Sequence, residues 1–192
     1  MWQTDFTYFK VIGWRWFYLC TVLDDFSRYV IAWRLCTGMT ASDVSETLEL
    51  AMTASGCQNV PLRQRPRLLS DNGPGFISDE LAQWLSGQGI QHVRGAPAHP
   101  QTQGKIERWR QTMKNRILLG NYYLPRALEA EITAFVEHYS KARMGTGQGS
   151  RLQNLGVLPH FRISAPTAPP VHFPTTPHCS IIKIISDQRF RV

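Results

Sequence analysis

The sequence predicts a mixed α/β domain built on one central sheet. Three observations carry that expectation. The first 35 residues hold three aromatic and β-branched runs joined by short turns. The apolar period then changes from two to about 3.6 near Thr40. Two brief apolar runs, at 67–70 and 90–93, alternate with further helical segments. The expected order is β-β-β-α-β-α-β-α-α: a five-stranded sheet, three antiparallel strands then two more, flanked by helices.

Each element has a local reason. In residues 2–11, Thr4, Phe6 and Tyr8 alternate with Asp5, Thr7 and Phe9, the period of a strand. Gly13 turns the chain, and 16–23 form a second strand. Asp24-Asp25-Phe26-Ser27 reads as a hairpin turn, because Asp hydrogen-bonds its own backbone there. Residues 29–35 make the third strand of a meander. Thr40 caps a helix over 40–54, with Asp43 placed for a capping box. Val44, Leu48 and Ala51, with Thr47, form its inward face, and Gly56 ends it. Residues 67–70 run as a short strand straight into Asp71. Ser78 caps a helix to Ser86 whose apolar face is Leu81, Trp84 and Leu85, and Gly87 and Gly89 stop it. After a brief strand at 90–93, Arg94 to Pro100 is a loop. Helices follow over 101–118 and 124–141, the latter carrying Leu124, Leu128, Ile132, Phe135 and Val136 at helical spacing.

The 192 residues suffice for one domain with a core. The net charge of +7 favours polyanionic partners, but it is unevenly placed. From Met144 onward, Arg151, Arg162, Lys183, Arg189 and Arg191 against Asp187 leave only +3 for the first 143 residues. Cys20, Cys36, Cys57 and Cys179 lack zinc-ligand spacing, and the first two lie in apolar runs as small core residues. With no leader and no apolar run near ~18 residues, the expectation is a cytoplasmic chain with no membrane partner. Past Met144 the sequence turns rich in Gly and Pro, with six prolines between Pro159 and Pro177. The expected division is therefore a core over 1–143 and a tail over 144–192 without a core of its own.

Three carboxylates stand out. Asp5 lies inside an apolar strand, where an acid must reach a rim or meet a cation. Asp71 follows the carboxyl end of a strand, where open α/β sheets place ligands, although Asp-Asn-Gly-Pro is also plain turn chemistry. Glu107 falls on the polar face of its helix, opposite Ile106, Trp109, Met113 and Ile117. Alone it would be a solvated surface residue. Its neighbours Gln103, Lys105, Arg108, Arg110 and Lys114 are suited to holding phosphates beside an acid that holds a metal. Phosphodiester cleavage needs an attacking oxygen activated and a leaving oxygen stabilised. Two Mg²⁺ ions about 3.5–4 Å apart can do both, and hard cations take carboxylate oxygens.

The segments WQTDFTYF, VLDDFSRYVIAW, SDNGPGF and HPQTQGKIERWRQTMK resemble the integrase catalytic core of insertion-sequence transposases and retroviral integrases. The resemblance covers roughly residues 1–143, with 35 residues between Asp71 and Glu107. It implies a ribonuclease H-like fold and dependence on Mg²⁺ or Mn²⁺. It also implies cleavage and strand transfer of DNA, at element ends and target, by a homo-oligomer. By the resemblance, Asp5, Asp71 and Glu107 are the catalytic metal ligands. Gln103 and Lys114 match positions that approach DNA. Gly95 to Gly104 match a mobile active-site loop in which His99 packs or contacts DNA. Two departures stand beside it. The family's upstream helix-turn-helix region has no counterpart ahead of Met1. After EHYSKARM the family's Tyr-Asn-x-x-Arg-x-His-x-x-Leu and Thr-Pro patterns give way to GTGQGS and the proline-rich run, as a frameshift or truncation would produce. The expectation is an incomplete transposase core. The alternatives are a catalytically silent remnant that binds DNA or an intact transposase, and a ribonuclease H-type nuclease.

Overall fold

The structure, a computed structural model, describes residues 1–95 and 104–144, with side chains described through 142. It contains one five-stranded sheet. Strands β1 (Trp2–Lys10), β2 (Trp16–Asp24) and β3 (Val30–Cys36) form an antiparallel meander. Strands β4 (Leu68–Ser70) and β5 (His92–Arg94) add in parallel on the other side of β1, giving the order β3-β2-β1-β4-β5. Helices α1 (Ala41–Ser55) and α2 (Asp79–Gly87) precede β4 and β5 respectively, and α3 (Gly104–Ile117) and α4 (Pro125–Met144) follow. This is the expected order of elements. Two short 3₁₀ turns, Cys57–Asn59 and Leu62–Gln64, were not expected. The last strand sits two residues later than the apolar run suggested, because Ile90 packs in the core ahead of the ladder. Helix α4 runs on to Met144, past the expected end at 141 and past the proposed boundary at 143. The proline-rich tail lies outside the described residues.

The local devices read from sequence are present. Thr40 and Asp43 close a capping box at α1, and Gly56 ends it at φ +66°, where a side chain would be strained. Ser78 Oγ accepts from the Leu81 N–H at α2. In the β2–β3 turn, Asp24 Oδ2 accepts from both the amide and the hydroxyl of Ser27, so Asp24 serves the turn.

Both faces of the sheet are covered, which is why its strands are apolar on both sides. Trp2 and Phe6 of β1, with Cys20, Val22, Ala32 and Cys36, pack under α1 and α2. Phe9, Phe17, Leu19, Leu23 and Trp33 pack under α3 and α4. Trp109 joins the last two helices through rings at 5.5 Å (Phe135) and 4.6 Å (Tyr139). Cys20, Cys36 and Cys57 are free and buried. Burial pushes the Cys20 thiol up to about 12, so it is a core residue and no nucleophile. Gly75 fixes the turn after β4 against the β3–α1 connection. A methyl group there would stand 2.6 Å from the Met39 carbonyl oxygen.

Candidate active site

The parallel pairing of β1 and β4 builds the centre of the site. Trp2 lies opposite Leu68 and Gln3 opposite Leu69. The same register continued two residues brings Asp71 alongside Asp5. Past Ser70 the chain turns, and Asp71 Oδ1 accepts from the Gly73 N–H at 2.9 Å. Asn72 Nδ2 donates to the Gly95 carbonyl at 3.0 Å, and Gly95 N–H donates to Ser70 O at 2.9 Å. The start of the glycine-flanked loop is thus tied to the end of β4. The rest of that loop, 96–103, carries His99 and Gln103 and lies outside the described residues. Ser70 Oγ gives its one proton to the Asp71 carbonyl and lies 2.8 Å from His92 Nε2. His92 Nε2 must therefore be the donor to Ser70. Burial first, and then Arg94, hold the His92 imidazole below its ordinary value.

Helix α3 brings the third acid. The first N–H groups of a helix have no partner within it. Here the Ile106 N–H donates to Gln3 Oε1 at 3.0 Å, across 103 residues of sequence. The other end of the same amide, Gln3 Nε2, donates to Asp25 Oδ1 at 2.7 Å. Lys105 Nζ reaches Asp25 Oδ2 at 3.0 Å and its carbonyl at 2.8 Å. Gln3 is 1% exposed. These contacts seat the N-terminus of α3 beside Asp5, one residue before Glu107. Sequence reasoning missed Gln3, although a lone glutamine inside an apolar strand was a visible signal, and it read Asp25 as a turn residue, whereas its carboxylate holds Gln3 and Lys105. It grouped Lys105 with the phosphate-binding residues, whereas its ammonium is engaged by Asp25. Ile106, Trp109, Met113 and Ile117 are buried as expected; Glu107 and Arg108 are exposed, and Arg110 and Lys114 half-buried.

Arg110 stands between two of the acids. Its Nη1 is 3.6 Å from Asp5 Oδ2, and its guanidinium also pairs with Glu107. The Glu107 hydrogen bond raises Arg110 further above its ordinary value. Asp5 is half-buried, and its Oδ1 accepts from the Phe6 N–H at 2.8 Å. Its carboxyl is raised to about 6, by burial above all. Arg110 opposes the rise, Asp71 adds to it, the Phe6 N–H opposes it, and Glu107 adds least. Asp5 therefore feels both of the other acids. Among the described residues, however, no three His, Cys, Asp or Glu side chains gather closely enough to hold a metal ion. Asp71 is turned back onto Gly73 while Arg110 occupies the other two acids. A cleft of about 810 Å³ between α3 and α4 is lined by residues such as Thr112, Arg116, Phe135 and His138, and by none of the three acids.

A mixed sheet of order 3-2-1-4-5 flanked by helices, with one acid on β1, a second just past the end of β4 and a third on α3, defines the ribonuclease H-like fold class. Comparison with known proteins places the chain within that class. The integrase core domain model matches residues 1–100, and a second integrase core domain model matches residues 88–150. The chain belongs to the integrase core domain family. It is 27% identical over 149 residues to the Gag-Pro-Pol polyprotein of mouse mammary tumor virus, covering 76% of this chain. It is 32% identical over 118 residues to that of sheep pulmonary adenomatosis virus, covering 62%. It spans only 8% and 6% of the lengths of those two polyproteins. A chain of the simian T-cell lymphotropic virus intasome has the same fold, with TM-score 0.55 and 24% identity over 68% of this chain and 45% of that one. The HTLV-2 integrase catalytic core domain, solved in complex with magnesium, matches at TM-score 0.50 and 26% identity over 70% of this chain and 80% of that one. No helix among the described residues is long and apolar enough to cross a membrane.

Proposed function

We propose that this domain cuts and joins DNA, with Asp5, Asp71 and Glu107 holding divalent metal ions. The observation that carries the reading is the β1–β4 register, which sets Asp71 beside Asp5 while Glu107 shares Asp5's guanidinium partner. The donor set fits Mg²⁺ or Mn²⁺, because every donor is a carboxylate oxygen and the nearby thiols are buried elsewhere. Two of the acids are already gathered on one cationic group. A pair of bound ions would supply activation of the attacking oxygen and stabilisation of the leaving one. The protein's share is to hold the acids on rigid strands and a docked helix, and to meet phosphates with Arg108 and Lys114. Lys105 acts through Asp25 to seat α3. A metal held by Asp5 and Glu107 would take the place of Arg110 on these acids, and the guanidinium would then suit a phosphate. The integrase relatives support DNA element ends and target as substrate, and a homo-oligomer as the working form.

The test is nicking or disintegration of branched DNA with Mn²⁺. The unaltered chain should give product, and Asp71→Asn and Glu107→Gln should remove it without lowering thermal stability in EDTA. Equal activity in either variant overturns the assignment. A second reading, a silent domain that binds DNA or an intact transposase, draws on the Arg110 contacts, which neutralise two acids internally. It is distinguished by co-expression with an intact element. A dominant fall in transposition, with no cleavage in vitro, would support it.

A further inference from the structure

Beyond the carboxylates, β1 continues as a strip of aromatic rings and cations. β4 pairs with β1 only at Trp2 and Gln3, so the later residues of β1 run past its end. Tyr8 and Trp16, diagonal neighbours on β1 and β2, meet edge to face at 5.9 Å and 73°. They are 49% and 47% exposed, although large rings in this sheet are otherwise mostly buried. Lys114 crosses from α3 to lie 4.2 Å from the centre of the Tyr8 ring, and Lys10 lies 5.9 Å from that of Trp16. Neither lysine makes an ion pair among the described residues. Tyr8 also lies within electrostatic reach of Arg110, which holds Asp5. The strip lies on the same strand as Asp5, three residues further along β1, and Lys114 reaches it from the helix that carries Glu107.

Cross-strand ring pairs can steady a sheet. That role needs no exposed ring surface and no ammonium groups without acids beside them. Single-stranded nucleic acid needs both: bases stack on aromatic rings, and cations follow the phosphates. The geometry points to Tyr8 and Trp16, with Lys10 and Lys114, as a stacking platform for unpaired nucleobases next to the cutting site. The assignment rests on the DNA reading above and adds a preference to it: single-stranded ends over blunt duplex. Each ring that carries a base should contribute on the order of ten-fold in affinity.

The experiment is fluorescence anisotropy in EDTA, which removes any dependence on metal or turnover. It uses a labelled blunt duplex and the same duplex with a three-nucleotide single-stranded end. The wild-type chain should prefer the single-stranded end by about ten-fold or more. Tyr8→Leu combined with Trp16→Leu should erase the preference and leave blunt-duplex binding and its salt slope unchanged. Tyr8→Phe, which keeps the ring, should retain it. Lys114→Gln should instead lower the salt slope by about one on the blunt duplex. A folded double-leucine variant with the wild-type preference overturns the platform and leaves the DNA reading standing, as does a wild-type chain with no preference. Failure of the wild-type chain to bind either DNA overturns both.

Discussion

Asp5→Asn should stabilise the metal-free protein. The Asp5 carboxyl stands at about 6 against an ordinary value of 3.8, with burial the main cause. A shift of about two units corresponds to about 3 kcal/mol of differential interaction. The group is raised on folding, so the folded state holds its proton more tightly than the unfolded chain does. Stability is therefore complete below pH 3.8 and is lost as pH rises to about 6, where the carboxyl ionises in place. Above that window the wild-type protein carries the full cost, and an amide of the same shape carries none of it. The side chain is 15% exposed, so solvent screens little of this. The assay is thermal unfolding in EDTA from pH 4 to 8. At pH 7, Asp5→Asn should melt several degrees higher, since about 1 kcal/mol moves a domain of this size by roughly 2–4 °C. Near pH 4 the two proteins should converge. A variant that melts lower than wild type at pH 7, or a constant difference across the series, would show that Asp5 is not an acid raised by desolvation.

Gln3→Leu should cost about 2–4 kcal/mol in urea denaturation, because it leaves the Ile106 N–H and the Asp25 carboxylate each without this partner. A loss under about 1 kcal/mol would mean that α3 is seated by its apolar face alone. Gly75→Ala should cost about 1–3 kcal/mol, since the added methyl meets the Met39 carbonyl at 2.6 Å and that backbone must move. Unchanged stability would show that the Asp71 turn is not pinned there. Arg110→Gln should push the pH at which metal-free stability declines above about 6, because Arg110 is the main group holding the Asp5 carboxyl down. It should also tighten Mn²⁺ binding in calorimetry, since no internal cation remains to be displaced. Weaker binding would make Arg110 a support of the site and not a competitor.

The element order, the α1 capping box, the Ser78 cap and the inward face of α3 were legible because each follows from neighbours a few residues apart. The approach of Asp5 and Asp71 needed the β1–β4 register, which depends on which strands pair and in which direction. A three-residue strand such as Leu68–Ser70 carries too few positions to announce that pairing. Gln3 went unnoticed and Asp25 was read only as a turn residue, because their partners lie 103 and 80 residues away. Lys105 was legible as a cation near Glu107, yet its pairing with Asp25 is a matter of tertiary placement. Tyr8 and Trp16 read as ordinary strand residues, and their exposed rings depend on which parts of the sheet the helices leave uncovered.

The long reach of the Gln3 amide has a consequence for the order in which the molecule assembles. Contacts between residues far apart in sequence form late, because a large loop must close before they reward the chain. Strand β1 is made before the domain's other elements, yet its buried glutamine finds no helix until residue 106 has been made. Until then the face bearing Phe9, Leu19 and Trp33 also lacks the cover of α3 and α4. A chain halted before α3 would carry two of the three acids and a bare apolar face, a species prone to aggregate. The full set of three acids thus arrives with the end of the domain, after the sheet is built.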